Sequence, residues 1–176
     1  MKIFLIIGAG QLGSRHLQGL LKLKGSLSIY VLDPSLESLE ISKTRAKEIK
    51  NNHKIQFIES WDIVPERIDF VIISTGANVR AKIVHLLLNT YKVENLLLEK
   101  ILFQDIESYE KISILIKNTK TSTWVNHPRR MMSHYKQIKK EIKIANENVF
   151  FQIVGGNWGL ACNSLHFIDL CYFLTD

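Results

Sequence analysis

Two patterns of hydrophobic positions alternate along the chain. IFLII (3–7) is a β-branched apolar run ending in glycine, and it predicts a buried strand. Leucines at 17, 20, 21 and 23 then recur at helical spacing and predict a helix over 14–23. LSIYVLD (27–33) predicts a second strand, and Asp33-Pro34-Ser35 breaks it, with Ser35 placed to cap a helix that runs to about Lys50. KIQFIE (54–59) and IDFVIIST (68–75) predict strands three and four, the fourth being the most hydrophobic. A helix over about 79–89, a strand at NLLLEK (95–100), a helix over 106–117 and a strand at TSTWVN (121–126) follow. Strands that read as continuous apolar runs between amphipathic helices call for a parallel sheet covered on both faces. Right-handed crossovers make it doubly wound. The fold class is α/β.

After Asn126 the pattern changes. HPRRMMSHYKQIKKEI predicts a loop and then a long basic helix to about Ile144. NVFFQIVGGNW (148–158) predicts a strand, and LHFIDLCYFL (165–174), apolar nearly all round, predicts a buried helix. That strand has no sequential partner, and a lone strand cannot satisfy its backbone groups. The expectation is that another chain supplies the partner or that these residues open a longer protein.

Composition narrows the class without deciding it. The 176 residues are 46% hydrophobic and 23% charged with three prolines, as in an ordinary globular protein. Net charge is +6, but the densest lysine cluster (Lys136, Lys139, Lys140, Lys143) is spaced like the solvated side of a helix. With no aromatic-interleaved basic stripe, a nucleic-acid partner is not expected. Cys162 and Cys171 lack CxxC spacing and read as buried free thiols in a reducing compartment, with no metal site. The N-terminal apolar run is too short for a bilayer and lacks a small-residue cleavage site. The expected location is cytoplasmic, away from membranes.

GAGQLG (8–13) follows a predicted strand and opens a predicted helix, the context a dinucleotide fingerprint requires. Gly8 would make the tight turn, Gly10 would let backbone approach a pyrophosphate, and Gly13 would allow close helix–strand packing. Gln11 and Leu12 complete the loop, whose helix N-terminus favours negative charge. A glycine-rich turn in some other α/β protein would look the same. Asp33, 20 residues after Gly13, adds a carboxylate for both adenosine ribose hydroxyls. It would repel a 2′-phosphate, and Pro34 and Ser35 bring no arginine to neutralise one, so NAD is favoured over NADP.

STGANVR (74–80) follows the fourth strand, where doubly wound sheets bind ligands. Ser74, Thr75 and Asn78 are candidate cofactor contacts; Asn78 could equally be the N-cap of the next helix. Glu99 and Lys100 end the fifth strand on the same edge, where a lysine with a lowered pKa could serve proton transfer. A surface lysine paired with a surface glutamate is the plainer alternative. His166 and Asp169 share one helical face, so the carboxylate could orient the imidazole, or it could bridge something local.

GAGQLG, Asp33, STGAN, EK at 99–100 and H-x-x-D at 166–169, taken in order, resemble the Gfo/Idh/MocA oxidoreductases, which include glucose–fructose oxidoreductase and inositol dehydrogenase. The resemblance implies a doubly wound, NAD(P)-binding Rossmann domain over 1–121. Residues 122–176 would then be the incomplete start of an α+β domain for substrate binding and oligomerisation. It implies a small-molecule substrate, with hydride passing between nicotinamide and a hydroxyl or ketone of a sugar, cyclitol or nucleotide-sugar, in a homo-oligomer. Glu99-Lys100 matches the family's E-K-P signature with Ile101 in place of proline, making Lys100 the catalytic lysine. His166 matches the catalytic-site histidine, although Cys162 stands where the family's D-x-x-x-H has aspartate, with Asn163 the nearest polar neighbour. Arg130 resembles a family arginine, and with Asn163 and Asp169 it is a candidate substrate contact. Family members continue far beyond the helix that carries His166, so the expectation is a C-terminally truncated chain with an incomplete substrate pocket. A non-catalytic NAD(H)-sensing module is the alternative class. A methyltransferase, which also uses a glycine-rich first turn, fits the GxGxxG spacing poorly.

Overall fold

The computed structural model describes residues 1–145 and 147–176. Six parallel strands form one sheet: β1 (Lys2–Ile7), β2 (Leu27–Leu32), β3 (Lys54–Ile58), β4 (Arg67–Ile73), β5 (Lys92–Leu98) and β6 (Ser122–Val125). Their order is β3-β2-β1-β4-β5-β6, so the chain winds outward one way from β1 and then crosses over to wind the other way. This is the doubly wound Rossmann topology. The intervening helices are α1 (Gln11–Leu21), α2 (Leu36–Lys47), α3 (Ala77–Thr90) and α4 (Ile106–Thr119).

Alternation along the strands explains why both faces are covered. Leu5 and Ile7 of β1 belong to a core with Val84 and Leu87 of α3 and Ile112 of α4. Ile6, between them, packs into a second core with Leu17 of α1 and Leu39 of α2. Val71 and Ile73 join the first core and Ile72 the second. Ser35 caps α2 by accepting the Ser38 N–H at 3.3 Å, as its position after Pro34 predicts.

Contacts divide the chain into Met1–Val125 and Asn126–Asp176. The second unit holds a short 3₁₀ turn (Pro128–Met131), α5 (Ser133–Ala145) and α6 (Leu160–Thr175). Three expectations for this unit are corrected. Residues 148–158 form no strand, because among the described residues of this unit no other strand is present to complete a ladder. The apolar helix is not buried: only Leu170 and Leu174 of α6 are, while Leu160, Ile168 and Tyr172 are exposed. Cys162 is likewise exposed and Cys171 half-buried, since they ride on that open helix. Beside the buried Leu170 and Leu174, cations lie against rings in this unit. Arg129 lies 4.1 Å from the Phe167 ring, and Lys139 lies 4.7 Å from the ring of Phe173. Lys136, Lys140 and Lys143 face solvent, as their spacing predicts.

Candidate functional site

Strand register places the sequence motifs side by side. Ile7 pairs with Leu32 and Ile73, and Ile73 pairs with Leu98, so four strands end level. The ladder then runs one residue further. Gly8 N–H donates to Leu32 O (2.8 Å), Ser74 N–H to Ile7 O (2.9 Å) and Glu99 N–H to Ile73 O (3.2 Å). Gly8, Asp33, Ser74 and Glu99 therefore stand along a single edge of the sheet.

The glycines separate by what surrounds them. Gly8 has φ +95°, a backbone conformation natural only to glycine. A Cβ on Gly13 would lie 1.7 Å from Gly8 O, so α1 can pack against the turn only without one. A Cβ on Gly10 would meet nothing within 4 Å. Gly10 is the N-cap of α1 and brings no side-chain cap, leaving the N–H groups of the first turn, at Gln11, Leu12 and Gly13, to an external acceptor.

A cavity of about 560 Å³ opens at this edge, bordered by Gly8, Gly10, Asp33, Trp61, Ser74 and Thr75 among others. The Asp33 carboxylate is held in place by the Ala9 N–H (2.7 Å) and the Ser35 N–H (2.8 Å). The Ser74 hydroxyl donates to Gly8 O at 2.9 Å, tying β4 to the glycine turn. The Thr75 hydroxyl oxygen is sheltered from solvent and has no hydrogen-bond partner among the described residues. A hollow of similar size at the opposite edge of the sheet is lined by Glu66, Arg67, Lys92 and Glu94. Its charges pair with one another, Lys92 with Glu66 at 3.0 Å and Arg67 with Glu94 at 4.0 Å, so it offers no such open set.

Asn78 is not the cap of α3. That helix starts at Ala77 with Gly76 at its N-cap, and Asn78 is exposed on its first turn. Glu99 is not half of a surface pair. It is 4% exposed, and its Oε1 lies 2.7 Å from His16 Nε2 on α1. Lys100, next along, is half-exposed. Neither borders the cavity itself; both continue the same edge beyond it.

Two residues of this edge escaped the sequence reading. His16 is one, spaced three residues after Gly13 on α1. Arg80 is the other, which closes STGANVR but was given no role there. It is 2% exposed, and its guanidinium donates to four backbone carbonyls: Thr75, Glu99, Ile101 and Leu102. Burial pushes its pKa down, and the Glu99 charge opposes that.

In the second unit, Arg130 grips Asp169 through Nε (2.8 and 2.7 Å to the two oxygens) and Nη2 (2.6 Å). That bonding pushes the Arg130 pKa up. His127 Nδ1 lies 4.0 Å from Asp169, and the His127 and His166 rings meet edge-to-face at 5.4 Å. Asn163 donates to Trp158 O at 2.6 Å. Among the described residues no group of three or more His, Cys, Asp or Glu is arranged to hold a metal ion.

Residues 2–127 match the Gfo/Idh/MocA model, an oxidoreductase family with an NAD-binding Rossmann fold. The chain belongs to this family. Solved structures agree on the fold. One is scyllo-inositol dehydrogenase from Lactobacillus casei with bound NAD(H) and scyllo-inositol, TM-score 0.74 at 18% identity, covering 99% of this chain and 56% of that one. Another is the WlbA dehydrogenase from Thermus thermophilus in complex with NAD and UDP-GlcNAcA, TM-score 0.68 at 20% identity, covering 99% and 63%. An NAD-binding protein from Listeria innocua matches with TM-score 0.74 at 20% identity, covering 99% and 55%. The chain thus spans just over half the length of these relatives. No curated protein matches the sequence. No helix among the described residues is long and apolar enough to cross a membrane.

The edge fits the family's dinucleotide on its own terms. Open space over Gly10, the start of α1 without a side-chain cap, a fixed carboxylate at Asp33 and a Thr75 hydroxyl with no partner among the described residues surround one cavity.

Proposed function

We propose that this chain is the cofactor-binding part of an NAD-dependent dehydrogenase acting on a hydroxyl or ketone of a sugar, cyclitol or nucleotide-sugar. The observation that carries the reading is the level ending of β1, β2, β4 and β5, which lines up the glycine turn, Asp33, Ser74 and Glu99-Lys100. Gly8, Gly10, Gln11, Leu12 and Gly13 form the pyrophosphate cradle. Asp33 accepts from the adenosine ribose hydroxyls and repels a 2′-phosphate, with no basic side chain at Pro34 or Ser35 to offset it. Ser74, Thr75, Asn78 and Glu99 face the rest of the cofactor.

When bound, the nicotinamide supplies the hydride acceptor or donor. Lys100 takes the substrate hydroxyl proton on oxidation and returns it on reduction. His166 is a second proposed proton carrier, and Arg130, Asn163 and Asp169 are proposed substrate contacts. Exposed apolar residues of the second unit, among them Phe150, Val154 and Leu160, support self-association into a homo-oligomer. The cytoplasmic setting in this reading rests on cysteine usage, since the spacing of Cys162 and Cys171 is not that of a disulfide framework.

Calorimetric titration with NADH and NADPH tests the reading. NADH binds, and NADPH binds at least about tenfold more weakly, a difference of about 1.4 kcal/mol. Binding of neither sinks it. If the protein reduces or oxidises a sugar-type substrate, Lys100→Ala removes that turnover while NADH binding persists; a pure NAD(H) sensor would be indifferent to the change.

A further inference from the structure

Arg80 is a buried cation whose bonds all go to backbone. Nη1 donates to the carbonyls of Glu99 (2.8 Å), Leu102 (3.1 Å) and Ile101, and Nη2 donates to the carbonyl of Thr75. Three of these acceptors flank Lys100 on both sides. The fourth belongs to a residue that borders the cofactor cavity. The two Nη groups are satisfied by these carbonyls while Nε, also buried, has no hydrogen-bond partner among the described residues, so it is the fork end of the guanidinium that makes the clamp. The turn it grips is also where the chain departs from the family signature. Ile101 replaces the proline of E-K-P, and its side chain is 45% exposed, so it does not anchor the turn by packing.

We infer that Arg80 is the positioning residue for Lys100. Its guanidinium ties the 99–102 turn to the end of β4 and so restricts the segment that a proline ring would otherwise stiffen. A planar fork suits this task, because several carbonyls at fixed angles can be held at once. A lysine would offer only a point charge. Arg80 touches neither cofactor nor substrate in this reading; it acts through Lys100, and the inference rests on Lys100 lying beside the nicotinamide.

The test reads the place of Lys100 directly. The full chain is acetylated with an N-hydroxysuccinimide ester, and modification of Lys100 is followed by peptide mass spectrometry with NADH or with ADP-ribose present. In the wild type, NADH at ten times its Kd slows Lys100 acetylation about tenfold by mass action, while ADP-ribose leaves it within about twofold. Arg80→Met keeps NADH affinity but loses the protection, Arg80→Lys retains part of it, and Ile101→Pro added to Arg80→Met restores it. Full protection in Arg80→Met overturns the inference. So does an equal loss of NADH and ADP-ribose binding in both Arg80 variants, which would give Arg80 a purely structural role. Should Arg80→Met fail to fold, Arg80→Lys decides: protection equal to wild type overturns the inference. An unprotected Lys100 in the wild type defeats the nicotinamide reading instead, and that outcome is visible before any variant is made.

Discussion

His16 and Glu99 are 83 residues apart in sequence, yet their side chains meet with 2.7 Å between Nε2 and Oε1. The contact joins the helix that starts at the glycine turn to the strand end that carries Lys100. The Glu99 side chain is 5% exposed, so a lost donor is not replaced by bulk water. His16→Leu removes one of the partners of the buried Glu99 and therefore costs about 0.5–1.5 kcal/mol, the usual net worth of one hydrogen bond. Urea unfolding measures it, and His16→Gln, which keeps a donor, recovers most of the loss.

Gly10 and Gly13 answer differently to alanine. Gly13→Ala drives a Cβ to 1.7 Å from Gly8 O, so α1 must shift and both unfolding temperature and NADH affinity fall. Gly10→Ala meets nothing in the protein and costs at most about 1 kcal/mol, the usual scale for a changed N-cap. NADH titration shows the contrast: Gly10→Ala weakens binding at near-native stability. A Gly10→Ala protein that binds NADH as the wild type does would mean the space over Gly10 is not the pyrophosphate site.

Asp33→Ala removes the proposed ribose acceptor and the anchor for the Ala9 and Ser35 N–H groups. NADH affinity drops about tenfold or more, given roughly 1.5–3 kcal/mol for a charge-assisted bond. The repulsion of a 2′-phosphate goes with the carboxylate, so the NADH-to-NADPH affinity ratio moves toward one. Titrating both cofactors into both proteins measures that ratio.

Asp105 sets a pH dependence that lies away from the site. As N-cap of α4, its carboxylate accepts the Ser108 N–H (2.7 Å) and hydroxyl (2.8 Å), which pull its pKa below the ordinary 3.8. A carboxylate with a depressed folded pKa stabilises the fold above its unfolded pKa and loses that contribution as pH falls through the folded value. The gap in melting temperature between wild type and Asp105→Asn is therefore full near neutral pH. It shrinks as pH falls below 3.8, and a thermal-melt series across pH checks it.

The strands at the centre of the sheet were legible because β1, β2 and β4 are apolar runs rich in β-branched residues and bounded by a break, and burial on both faces demands that composition, whereas β3 and β6 are more open edge strands. The same criterion misled at 148–158, where composition suits a strand but no neighbour among the described residues completes a ladder. It misled again in α6, where only Leu170 and Leu174 are buried. A run of residues reports what a segment could pair with, and pairing is a property of the neighbour.

The candidate site divides along the same line. Gly8, Gly13 and Asp33 were readable locally, because a positive φ, a close approach and a strand-end carboxylate each leave a residue-type signature. Arg80 and His16 left none. An arginine on a helix and a histidine after a glycine turn are ordinary until the fold brings Glu99 and the 99–102 carbonyls against them. The sequence by itself determined the α/β class, the order of the strands along the chain and the glycine turn, since these follow from local sterics and hydrophobic period. Only the tertiary structure decided that Glu99 is buried and that Arg80 clamps the turn beside Lys100. Such contacts depend on strand register, which aligns residues far apart in the chain at one sheet edge.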